Sequence, residues 1–87
     1  MISTYLISDE MCRFSEHALR QMEARGVSIE DVREVLRSGE LFSKEADERF
    51  GTKYQSRLRR GRVYLVVVWH YAGDEKEAIT AFWRRLR

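Results

Sequence analysis

The stretch Val63-Tyr64-Leu65-Val66-Val67-Val68-Trp69-His70-Tyr71 constrains this chain more than any other. Val63, Leu65, Val67, Trp69 and Tyr71 alternate with Tyr64, Val66, Val68 and His70, and both sets are largely apolar. A strand apolar on both faces belongs at the centre of a sheet, covered on at least part of each side. The chain has 87 residues to build that surrounding. This is enough for one domain, near the lower end of what folds without staples. The apolar run is strand-sized and far short of the roughly 20 residues that span a bilayer. Cys12 is the one cysteine, which excludes an internal disulfide and a cysteine-cluster zinc site. The N-terminus lacks the basic region and long apolar core of a signal peptide. The expected protein is cytoplasmic, with no membrane partner.

Glycines punctuate the rest. There is no proline, and Gly26, Gly39, Gly51, Gly61 and Gly73 interrupt patterned segments as helix ends and turns do. Phe14 to Arg25 reads as a helix, capped by Ser15, with Phe14, Ala18 and Met22 forming an apolar stripe. Ser28 caps a second helix, with Glu30 and Asp31 in its first turn and Val32, Val35 and Leu36 on its buried edge. Glu40 to Ala46 is a weak strand candidate and Lys53 to Arg59 a better one. Arg60-Gly61 and Ala72 to Glu75 are turns, and Glu77 to Trp83 is the last strand. The first dozen residues are ambiguous: Tyr5-Leu6-Ile7 fits an arm, a helix or an added strand. The expected fold class is α+β, with two N-terminal helices packed on a three- to four-stranded antiparallel sheet. Its parts are a possible arm (1–13), a helical hairpin (14–38), the sheet (40–83) and a basic tail (84–87).

The net charge of +2 conceals a split. Residues 1–48 hold 11 acids and 6 bases, a balance of −5, while residues 49–87 hold 3 acids and 10 bases, a balance of +7. Arginine supplies 13 of the 16 bases, and its planar guanidinium is bidentate toward phosphate and carboxylate. A chain acidic in front and basic behind suits either a polyanion or a salt-bridged, solvated surface. Arg57, Arg59, Arg60, Arg62, Lys53 and Arg84, interleaved with Tyr54, Tyr64 and Trp83, form the candidate nucleic-acid-binding set. The alternative for these charges is protection of strand edges and turns.

Two histidines are the side chains that titrate near neutrality without perturbation. His17 borders the apolar stripe of the first helix, and Gln21 and Arg25 continue its edge at i+4 and i+8. That column offers acid/base chemistry and phosphate binding, or a boundary histidine beside an arginine serving the helix end. His70 ends the central strand on the face opposite Trp69. No histidine spacing suits a metal and no glycine-rich loop suits a nucleotide, so neither a metal site nor a cofactor is expected.

The stretch Phe14-Ser15-Glu16-His17-Ala18-Leu19-Arg20-Gln21-Met22-Glu23-Ala24-Arg25-Gly26-Val27-Ser28 resembles the bacterial domain-of-unknown-function family 4258. That family opens on His-Ala-x-x-Arg-Met-x-x-Arg-Gly-Ile/Val-Ser before an acidic-start helix, which Ile29 to Leu36 matches. Its closing Ile/Val-Thr-x-Tyr is similar to Ile79-Thr80-Ala81-Phe82 here. The resemblance covers about residues 14–83. It implies kinship with the RelE-like and BrnT-like toxins of bacterial toxin–antitoxin pairs, whose fold sets two helices on an antiparallel sheet. Many of those toxins cut RNA without metal, using the ribose 2′-hydroxyl as nucleophile. By the resemblance, His17, Arg25 and Thr80 stand at motif positions. Gln21 replaces the motif's first arginine, and Phe82 replaces its final tyrosine and cannot transfer a proton.

The expected function is therefore a toxin-type, metal-independent endoribonuclease, with RNA as substrate and an antitoxin as protein partner. His17 and His70 are its acid/base candidates, and Arg25 and Arg57 its phosphate stabilisers. The alternative is a non-catalytic module that binds nucleic acid or protein. A homodimer, with the acidic helices of one copy on the basic sheet of another, is a further possibility.

Overall fold

The computed structural model describes residues 12–86. They form β1 (Cys12–Phe14), α1 (Glu16–Ala24), α2 (Ile29–Ser38), β2 (Glu40–Asp47), β3 (Gly51–Arg60), β4 (Val63–Ala72) and β5 (Glu75–Arg85). The strands make one sheet in the order β1-β5-β4-β3-β2, so the two-faced apolar segment is its centre. β2, β3, β4 and β5 pair antiparallel in succession, but β1 runs parallel to β5, with Phe14 opposite Ala78.

The sheet therefore has five strands and is mixed, which corrects the expected three- to four-stranded antiparallel sheet. The extra strand is three residues long, too short to show alternation, and its partner lies at the other end of the chain. It also claims Phe14, which helical spacing had assigned to the first helix. β5 continues through Arg85, so Arg84 and Arg85 are strand residues. The ambiguous Tyr5-Leu6-Ile7 and the final Arg87 lie outside the described residues. Among those described, no helix is long and apolar enough to cross a membrane.

Local chemistry sets the helix starts. Ser15 Oγ accepts from the Ala18 N–H at 3.0 Å. Ser28 and Asp31 form a reciprocal capping box, each side chain accepting from the other's backbone N–H at 3.0 Å. The Ser28 N–H, with Arg60 as a second contributor, holds the Asp31 carboxyl below its ordinary value. Arg60 also clamps α2 to the sheet, donating to Asp31 Oδ1 at 2.9 Å and to the Glu34 carboxylate.

Both helices lie on one face of the sheet. Met22, Val27, Val32 and Val35 close over Leu65, Val67 and Trp69 of β4 and Ala78 and Ala81 of β5. The Trp69 indole donates to Ser56 Oγ at 3.0 Å, and Tyr54 stacks on it at 4.4 Å. Ala78 and Ala81 are three apart, so strict alternation would put them on opposite faces. A bulge resolves this: Val68 pairs Thr80 and Trp69 pairs Ala78, leaving Ile79 over and resetting the alternation. Gly39 sits where α2 passes into β2. A Cβ there would lie 2.5 Å from the Val35 carbonyl oxygen and 2.7 Å from that of Arg57.

On the opposite face, register aligns Arg57, Val66 and Phe82 across three strands, and Arg59, Tyr64 and Arg84 beside them. The Arg57 guanidinium lies 4.6 Å from the Phe42 ring and 4.5 Å from the Tyr64 ring.

Candidate functional site

β1 stops at Phe14, Ser15 turns the chain, and α1 begins. His17 thus falls in the first helical turn, exposed, just past the β1–β5 pairing. It borders a cleft of about 440 Å³ shared with Ser15, Arg49, Phe50 and Glu77. Glu77 comes from β5, and Arg49 and Phe50 from the turn between β2 and β3. Asp47 builds that turn: its Oδ1 accepts from the backbone N–H of Arg49 at 2.8 Å and of Phe50 at 3.0 Å. Those two bonds, aided by Lys53 at 3.3 Å, hold the Asp47 carboxyl below its ordinary value. The Arg49 guanidinium lies 5.4 Å from the Phe50 ring.

His70 stands behind the cleft wall. Its Nε2 is 2.7 Å from Glu77 Oε1, and its ring centre is 4.8 Å from that of Phe50, tilted by 57°. The side chain is 12% exposed. Nδ1 is buried, and no protein group among the described residues bonds it. The two sequence-identified histidines thus approach one cleft, His17 at its rim and His70 through Glu77.

Arg25 lies elsewhere. Its Nη1 donates to Thr80 Oγ1 and to the Ala81 carbonyl, both at 3.0 Å. The Thr80 hydroxyl donates to Gln21 Oε1 at 3.5 Å, and the Trp83 indole donates to the Arg25 carbonyl at 2.9 Å. The motif positions Gln21, Arg25 and Thr80 therefore meet, as a joint between α1 and β5. The Ala81 carbonyl points out from the edge of β5 beyond the end of β1, and Arg25 covers it.

The other sequence-chosen cations divide by task. Arg57 Nε donates to Glu40 Oε1 at 3.2 Å between its two aromatic rings. Arg60 is held by α2 on the helix side, Lys53 by Asp47, and Arg59 Nε donates to the Gly61 carbonyl at 3.0 Å. Tyr54 packs on Trp69. Arg62 is exposed, and so is Arg84, whose guanidinium is 5.7 Å from the Phe82 ring. Among the described residues no three His, Cys, Asp or Glu side chains cluster as metal ligands. Cys12 borders a separate cleft of about 370 Å³, and burial pushes its thiol pKa up to about 11.

Three site residues escaped the sequence reading: Arg49, Phe50 and Glu77. Glu77 was within reach, because a turn over Ala72 to Glu75 sets it opposite His70. Nothing in the local pattern brings Phe50 to His70, since that depends on how the β2–β3 hairpin curls.

A family model described as Domain of unknown function (DUF4258) matches residues 14–83. No curated protein matches the chain, and no solved structure matches it.

Proposed function

The chain belongs to the DUF4258 family, and on that footing we propose that it is a metal-independent endoribonuclease of the RelE-like or BrnT-like toxin kind, working at the His17–Glu77 cleft. One observation carries the reading: His17, Arg49 and a glutamate bonded to His70 border the same cleft. Cleavage through a ribose 2′-hydroxyl needs a base for that hydroxyl, an acid for the leaving oxygen and a cation for the developing phosphate charge. The two histidines and Arg49 are those groups. Phe82 has no hydroxyl, so proton transfer falls to the histidines. The open face of the sheet, with Arg57 between Phe42 and Tyr64 and Arg84 over Phe82, suits a single RNA strand. An acidic antitoxin would cover the same face.

A second reading, a binding module without catalysis, draws on the burial of His70 and on Phe82. One assay separates the two. Purified protein is incubated with RNA in EDTA, beside His17→Ala and Arg49→Ala variants confirmed as folded. The expected result is cleavage by the parent chain and at least a hundredfold loss in His17→Ala. Cleavage indifferent to His17→Ala overturns the site assignment. Salt-sensitive binding with no cleavage overturns the nuclease and establishes the module.

A further inference from the structure

A buried imidazole nitrogen without a partner is uncommon and costly. His70 has one. Its Nε2 faces a carboxylate oxygen at 2.7 Å, and a carboxylate accepts, so the proton of the neutral ring belongs on Nε2. Nδ1 then carries a bare lone pair, buried and bonded by no protein group among the described residues. The ring contacts Phe50, and Phe50 and Glu77 both border the cleft. A lone pair held in one tautomer by a carboxylate that borders a cleft, on a ring packed against a second residue of that cleft, is an acceptor awaiting a donor. Phe50 belongs to a short turn that opens into Gly51 at φ +82°, not to the packed core.

We propose that His70 Nδ1 accepts a hydrogen bond from a ligand hydroxyl entering the cleft, with Glu77 fixing the tautomer and Phe50, packed on the imidazole, yielding to let that ligand in. The identity of the hydroxyl rests on the ribonuclease reading: it is the ribose 2′-hydroxyl. In the cleavage step its proton passes to His70 Nδ1, and the O2′ electron pair forms the bond to phosphorus. The bond from phosphorus to O5′ breaks, and O5′ takes a proton from protonated His17. The products are a 2′,3′-cyclic phosphate and a free 5′-hydroxyl. His70 is thereby the base and His17 the acid, and Glu77 is a positioning residue.

The test is nuclear magnetic resonance of the full chain with nitrogen-15-labelled histidine, in a His17→Ala background that suppresses cleavage. The free protein is expected to show His70 with a protonated Nε2 and a bare Nδ1. An oligoribonucleotide at low salt is expected to move the Nδ1 signal toward its hydrogen-bonded position, and the 2′-deoxy oligonucleotide of the same base sequence to leave it in place. Glu77→Gln should populate the Nδ1–H tautomer, which a merely structural glutamate would not alter. Phe50→Ala should let water bond Nδ1, moving its signal before RNA is added. A proton on Nδ1 in the free protein overturns the proposal, as does an Nδ1 signal that both oligonucleotides move equally or neither moves. Absence of cleavage alongside a ribose-specific shift would sink the nuclease reading and leave this one standing.

Discussion

Gly39→Ala tests the packing logic of the fold at one atom. Gly39 has φ −79° and ψ 176°, ordinary extended backbone that alanine adopts freely. On backbone entropy alone the substitution would stabilise by about 0.4–1 kcal/mol. The new Cβ, however, would lie 2.5 Å from the Val35 carbonyl oxygen and 2.7 Å from that of Arg57, where real Cβ contacts stay above 3.0 Å. Neither oxygen can swing aside. The first accepts the Gly39 N–H that closes α2, at 2.7 Å, and the second is fixed by β3, whose Arg57 pairs with Glu40 and Val66. Overpacking costs about 1–3 kcal/mol and a disturbed cap bond about 1 more. Net of the entropy gain, the expected loss is about 1–3.5 kcal/mol. Thermal unfolding would show it as a melting point lower by roughly 5–25 °C. Gly73→Ala is the comparison. Gly73 has φ +68° with nothing within 4 Å of its added Cβ, so only the left-handed backbone penalty of about 1–2 kcal/mol applies, offset by the same entropy gain. The angles by themselves rank Gly73→Ala as the worse change, and the close approach reverses the order. A Gly39→Ala chain as stable as Gly73→Ala would refute the reasoning.

Ser56→Ala leaves the buried Trp69 indole N–H without its 3.0 Å acceptor and should cost about 1–3 kcal/mol in urea unfolding. Asp31→Asn should flatten the acid limb of stability. The folded Asp31 carboxyl sits below its ordinary 3.8, so its contribution is present above that value and is lost as pH falls through the lower folded one. Melting points of parent and variant should therefore converge in acid. Arg25→Ala should loosen the α1–β5 joint, read as faster amide exchange in α1, while leaving the salt dependence of RNA binding unchanged. Arg49→Ala should reduce that salt slope by about 0.7, the value of one single-strand phosphate contact, without touching α1.

Much of the frame was legible because it rests on local or period-two signals. The centre of the sheet follows from Val63 to Tyr71, and both helix starts from Ser15 and Ser28. The same alternation already separates Arg60 from Arg57 and Arg59: with Tyr54, Ser56 and Leu58, Arg60 belongs to the face that α2 covers. A count of bases misses this, because it does not distinguish a guanidinium occupied by helix carboxylates from one on the open face. β1 was not legible, since three residues carry no period. The shared face of Ala78 and Ala81 was hidden for the opposite reason, because the bulge breaks a period that the rest of β5 obeys. The column His17, Gln21, Arg25 is real on the helix, but its members serve different places. Helical spacing states which residues align, not what each meets at the far side of a nine-residue helix.

β1 is the first described strand and pairs with β5, the last. The cleft draws Ser15 and His17 from beside the one and Glu77 from the other. During synthesis α1 and α2 emerge before the strands they rest on, and β2, β3 and β4 can pair in order as hairpins. The rim and the floor of the cleft meet only when β5 has been made and has closed a loop over most of the chain, the slowest kind of contact to form. A chain cut short before β5 would keep both histidines and most of its arginines, yet it would have no place in which they could act together. Whatever chemistry the cleft performs is thus withheld from the nascent chain until its last strand is in place.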